Sequence, residues 1–310
     1  EDPARELTQV PFFPQTIHQC GPAALATVLG ASGVAATPAQ LAPLVYIPGR
    51  RGSLQVEMLA AARTRGRVAY VLEPGFGRIQ AELAGGTPVL VLQDLGAFGI
   101  RRWHFAVVVG YDAERDVVVL RSGTRRRHLE RRSDFLRTWQ GGDEWAAVVT
   151  RPDQPPVTAT GGAFIRALAA TGRNLPPEAL QAGHAAALER WPGDPLVLLA
   201  SGNDAYASRR FADAIALYGE LLIREPGNIA GRNNLANALL DAGCPQSALD
   251  EASTAAAQVA PGTPLEAAVR DTLASATAAA AGAARPEGPG PRPGTTPPPA
   301  AAPAQSPRCP

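Results

Sequence analysis

The chain reads as an α+β domain followed by an all-helical region and a proline-rich tail. Three observations predict this. A helical period of apolar residues governs 21–65, and β-branched runs bounded by Gly, Pro or Asp fill 68–150. Ala- and Leu-rich segments, interrupted by Pro or Gly, then occupy 158–280. Helices first and strands afterwards, with short connections, imply an antiparallel sheet carrying its helices apart from it. A length of 310 residues suits about two domains.

The elements follow in order. HQCGPAALATVL at 18–29 opens a helix over 21–30. A second helix spans 38–45, with Thr37 as N-cap and Pro38 at its first position. A third, at 53–65, carries Leu54, Met58, Leu59 and Ala62 at helical spacing and stops at Gly66. Strands are expected at 68–72, 88–95, 104–112, 116–123 and 144–150. Those at 104–111 and 117–121 are joined by DAERD as a hairpin. Residues 1–150 thus form the first domain, and RPDQPPV begins a linker at 151–158.

A repeat organises 159–280. Gly202, Ala214, Tyr218 and Pro226 are answered by Ala236, Ala248, Ala252 and Pro261, at an offset of 34 residues that slips to 35 at the proline. WPGDP at 191–195 closes an earlier, more degenerate unit with helices near 160–171 and 177–190. The pattern resembles tetratricopeptide repeats, in which small residues let paired helices touch. Residues 281–310 have too few large apolar groups to offset ordering entropy and read as a disordered tail with polyproline II character.

Composition narrows function. All 29 basic residues are arginine, a bias that, with the many alanines, hints at a GC-rich bacterial genome. The net charge of +1 argues against a dedicated nucleic-acid binder. Cys20, Cys244 and Cys309 form neither a disulfide framework nor a CxxC metal pattern, and no cofactor is expected. No apolar run approaches the roughly 20 residues of a membrane helix. The chain starts at Glu1, not Met, so a removed export signal would place it in a bacterial envelope or periplasm, and otherwise it is cytoplasmic.

The chemistry centres on Cys20. At the start of a helix, free backbone N–H groups and the macrodipole favour a thiolate. His104, in WHFAVVVGYD, begins a strand 84 residues later, so the two meet only through the fold. Gln15, five residues before the cysteine, is a candidate oxyanion donor, and Gln19 is its rival. A metal reading of His18 with Cys20 and His104 lacks ligand spacing.

Gln15, Cys20-Gly-Pro-Ala-Ala-Leu, Gly52-Ser53-Leu54, Gly86-Thr87-Pro88-Val89 and Trp103-His104-Phe105, in this order, resemble the C39-type cysteine peptidases. That papain-like family trims bacteriocin leader peptides. VPFFPQ…QCGPAALATVL, VVVGYD…VLRSG and the repeat region together are more closely similar to the stand-alone PA2778 family cysteine peptidase group, over about residues 8–262. The resemblance implies Cys20 as nucleophile, His104 as base holding an ion pair with it, and Gln15 in the oxyanion hole. It also implies cleavage after small residues such as a Gly-Gly pair.

Two departures stand out. The glutamine lies one residue nearer the cysteine than in bacteriocin-processing members. Their Asp-Pro pair is replaced by Leu120-Arg121-Ser122-Gly123, leaving Ser122, Asp94, Asp112 or no residue as the imidazole's orienting partner. Asp112 is at home at the start of the hairpin loop. RSGTRRRHLERR at 121–132, with six arginines, reads chiefly as a solvated face and secondarily as a basic rim for acidic peptides. The expected partners are a peptide or protein substrate and a protein on the repeats. A non-catalytic envelope scaffold, or acyl transfer to an amine, are the alternatives.

Overall fold

The computed structural model describes residues 4–14, 19–50, 52–96 and 100–283. Two compact units emerge, Glu1–Arg190 and Trp191–Pro310. The first begins with strand β1 (Ala4–Glu6), then helices α1 (Cys20–Ala31), α2 (Pro38–Val45) and α3 (Gln55–Thr64). Strand β2 (Val68–Val71), helix α4 (Phe76–Ala84) and strands β3 (Val89–Asp94), β4 (Trp103–Asp112), β5 (Val117–Ser122) and β6 (Arg125–Arg131) follow. Helix α5 (Arg132–Gln140), strand β7 (Ala146–Thr150) and helices α6 (Gly161–Thr171) and α7 (Pro177–Arg190) complete it.

The sheet is antiparallel, ordered β2-β7-β3-β4-β5-β6, with β1 pairing on β4. Its central strands β3, β4, β5 and β7 are buried on both faces because alternate residues meet different helices. Leu90, Leu92, Phe105, Val107, Val109 and Val119 share one cluster with α1, α2 and α3. The intervening Val89, Val91, Ala106, Val108, Val118 and Leu120 are equally buried. On that second face Gln93 donates to Thr138 of α5, where Phe135 stacks on Trp139 and meets Phe76 of α4. Residues 21–29 of α1 are all buried, so this helix is the centre of the first core.

The cap read at Thr37 is present as a full capping box with Gln40. The third helix starts at Gln55, two residues later than its periodicity implies. Helices α4 and α5 and strand β6 were not foreseen. In β6, four arginines in seven residues erase the apolar alternation that would mark a strand.

The segment expected to be a linker is held in place. Glu82, fully buried on α4, accepts from the N–H groups of Val157 and Thr158 and from the Thr158 hydroxyl, the last two at 2.7 Å. Arg190 donates to the carbonyls of Pro155, Pro156 and Val157. The compact units divide after residue 190, with α6 and α7 in the same unit as the sheet. The cause is that Pro-rich composition reports a lack of regular structure and says nothing of side-chain anchoring.

The second unit is helical: α8 (Pro195–Ala207), α9 (Phe211–Arg224), α10 (Ile229–Asp241), α11 (Pro245–Gln258) and α12 (Pro264–Ala283). Sequential helices form hairpins, α8 with α9 and α10 with α11. A Cβ at Gly202 would lie 2.5 Å from the ring of Tyr218, so glycine lets these two helices approach. Ala236, Ala248 and Ala252 are fully buried at the equivalent positions of the next pair. Among the described residues no helix is long and apolar enough to cross a membrane. Of the tail expected over 281–310, residues 281–283 instead end α12, and 284–310 lie outside the described residues.

Candidate active site

Cys20 is the first residue of α1, half-buried and a free thiol, against the cluster that contains Leu25, Phe105 and Leu92. Gln19 is the N-cap, but its side chain makes no capping bond, and no acidic residue lies in the first turn. The electropositive end of the helix is thus uncompensated by its own sequence. Pro22 sits in that turn without cost, since its missing N–H would have had no helical partner. Gly21 is required by a close approach. A Cβ there would fall 2.2 Å from Ser53 Oγ and 2.6 Å from Ser53 Cβ. The CG and GSL blocks of the sequence therefore touch at the first turn of α1.

His104 is the second residue of β4, paired with Gln93 of β3. Its Nε2 lies 2.8 Å from Oγ of Ser122, the last residue of β5. Burial, with Arg102 and His128 nearby, lowers its pKa to about 4. The imidazole is therefore neutral at pH 7, and the resting ion pair expected from the resemblance is not favoured. Strand alternation turns His104 away from the cluster that holds Cys20, and among the described residues no hydrogen bond joins the two.

The acidic alternatives are committed elsewhere. Asp94 Oδ1 accepts from the N–H groups of Gly96 and Arg102, at 2.9 and 2.8 Å, and closes the loop before β4. Those bonds, the one from Arg102 foremost, hold its carboxyl below the usual range. Asp112 accepts from the N–H of Arg115 within the β4–β5 hairpin. Gln15 and His18 lie outside the described residues.

Sequence reasoning missed Arg121, the residue before Ser122. Its buried guanidinium donates to the carbonyls of Leu7, Thr8, Val10 and Arg126, clamping the segment that leads to Cys20. An arginine inside the apolar run VVVLRSG was the available signal.

An antiparallel sheet with helices in this arrangement fits a C39-like domain. Residues 7–144 match the profile of the Peptidase_C39 like family. A putative C39-like peptidase from Bacillus anthracis superposes with a TM-score of 0.42 at 14% identity, covering 49% of this chain and 98% of that one. The peptidase domain of Streptococcus ComA, a bi-functional ABC transporter involved in quorum sensing, gives 0.38 at 17%, covering 46% and 98%. No curated protein matches the chain.

Proposed function

We propose that the first unit is a cysteine peptidase. Cys20 is the nucleophile, His104 the general base and acid, and Ser122 the positioning residue for the imidazole. The observation that carries the reading is the 2.8 Å contact between His104 Nε2 and Ser122 Oγ inside the span matched by the C39-like profile. It leaves Nδ1 to serve a thiol.

Neutral His104 takes the Cys20 proton as the sulfur attacks a peptide carbonyl carbon. The oxyanion takes donors from the Cys20 N–H and the Gln15 side chain at the positive end of α1. The imidazolium then protonates the leaving amine as the C–N bond breaks. Water, giving its proton to the same nitrogen, hydrolyses the thioester. The reading requires the Cys20 sulfur and the His104 imidazole, on alternate faces at the start of β4, to come together in the substrate complex. The sheet edge with α2 and α3 forms the substrate groove, small residues such as a Gly-Gly pair precede the cut, and the second unit recruits substrate through tetratricopeptide-type hairpins.

A second reading, a non-catalytic scaffold, is favoured by one observation: no hydrogen bond joins Cys20 to His104 among the described residues. Mass spectrometry of Gly-Gly-containing peptides incubated with the protein tests both. Hydrolysed products that vanish with Cys20→Ala support the peptidase. Adducts with an added amine instead of acids assign acyl transfer. Intact peptides at all protein concentrations favour the scaffold.

A further inference from the structure

Strand β6 ends the sheet, pairing with β5 alone among the described residues. Its outer backbone edge is therefore a row of donors and acceptors without a strand partner. Four of its seven residues are arginine, and Arg132 continues the run. Arg127, Leu129 and Arg131 are exposed and alternate along one face; a bulge against β5 puts exposed Arg125 on the other, with half-buried His128 and Glu130. Arg127 pairs with Glu6 at 3.0 Å and Arg132 with Asp116 at 2.6 Å. Arg125, Arg126 and Arg131 form no ion pair among the described residues.

An open ladder and surplus positive charge thus coincide. Two such edges repel, which disfavours a second copy of this chain as occupant. A neutral strand gains ladder bonds only. An acidic extended segment gains both ladder bonds and ion pairs.

We infer that the edge of β6 binds an extended acidic peptide segment as an additional strand, with carboxylates beside Arg131 on one face and beside Arg125 on the other. The strand begins near the candidate site, since Arg125 pairs with Ser122 and Ser122 contacts His104. On the peptidase reading, and only for this consequence, the acidic segment flanks the scissile bond of the substrate.

Binding is measured by fluorescence anisotropy on the full-length Cys20→Ala protein, so that the result does not depend on cleavage. The probe is a labelled peptide of about ten residues built of Glu-Glu-Thr-Thr repeats, which puts carboxylates on both faces of the strand. It is expected to bind at least about tenfold more tightly than an equally charged peptide interrupted by proline, and more weakly as salt rises. N-methylation of the amides on one edge of the peptide abolishes binding, and methylation of the other edge spares it. The double variant Arg125→Glu/Arg131→Glu loses the peptide; the methylated pair decides the matter if that variant fails to fold. Equal affinity for the proline peptide, indifference to both methylations, tighter binding of a single-stranded oligonucleotide, or no binding would each overturn the inference.

Discussion

Ser122 decides how strong a base His104 can be. A hydroxyl at 2.8 Å orients the ring but supplies no negative charge to offset burial, Arg102 and His128. Ser122→Asp should raise the acid limb of kcat/KM from about pH 4 by roughly one to two units, and raise kcat/KM by about tenfold. Ser122→Ala should lower kcat and leave KM unchanged. The same low pKa has a stability consequence. Above pH 6.5 neither folded nor unfolded chain protonates His104. Between 6.5 and about 4 only the unfolded chain does, so stability falls with falling pH by up to ~3 kcal/mol. Urea unfolding of wild type and His104→Gln over that interval checks this, the slope being smaller in the variant. Gly21 gives a packing counterpart. Gly21→Ala should cost about 1–3 kcal/mol and slow reaction of the Cys20 thiol, with partial rescue by Ser53→Gly, because only the added methyl meets Ser53.

At the scale of elements, legibility followed periodicity. The helices around Cys20 and five of the strands carry clean apolar patterns, and Thr37 with Gln40 marks its helix by hydrogen-bonding chemistry alone. Strand β6 was hidden because an edge strand facing solvent needs no apolar face. Helix α4 was hidden because it is only nine residues long, so Phe76, Ile79 and Leu83 show its period over barely two turns. The two candidate residues on strand and helix starts were readable from residue type and position. The 2.8 Å partnership of His104 with Ser122 was only one of several choices, since which strand end meets which depends on register. Glu82 also carries a prediction. Glu82→Ala leaves the N–H groups of Val157 and Thr158 without partners and should destabilise the first unit by about 3 kcal/mol, with faster amide exchange across 151–158. Glu82→Gln should cost less.

For the molecule as a whole, a sheet-bearing unit holds the candidate chemistry, and a separate unit is all-helical, with its own core of Tyr218, Ala236, Leu239 and Ala252. Either peptidase or scaffold is compatible with that division, so the distinction rests on whether the thiol at the head of α1 is served by the imidazole of β4. The most direct measurement is the rate at which p-nitrophenyl acetate acylates Cys20, followed by peptide mass mapping across pH, since it needs no knowledge of the natural substrate. The peptidase account predicts acetylation about a hundredfold faster than in His104→Ala, with an acid limb near pH 4. Equal rates in the two proteins at every pH would contradict it.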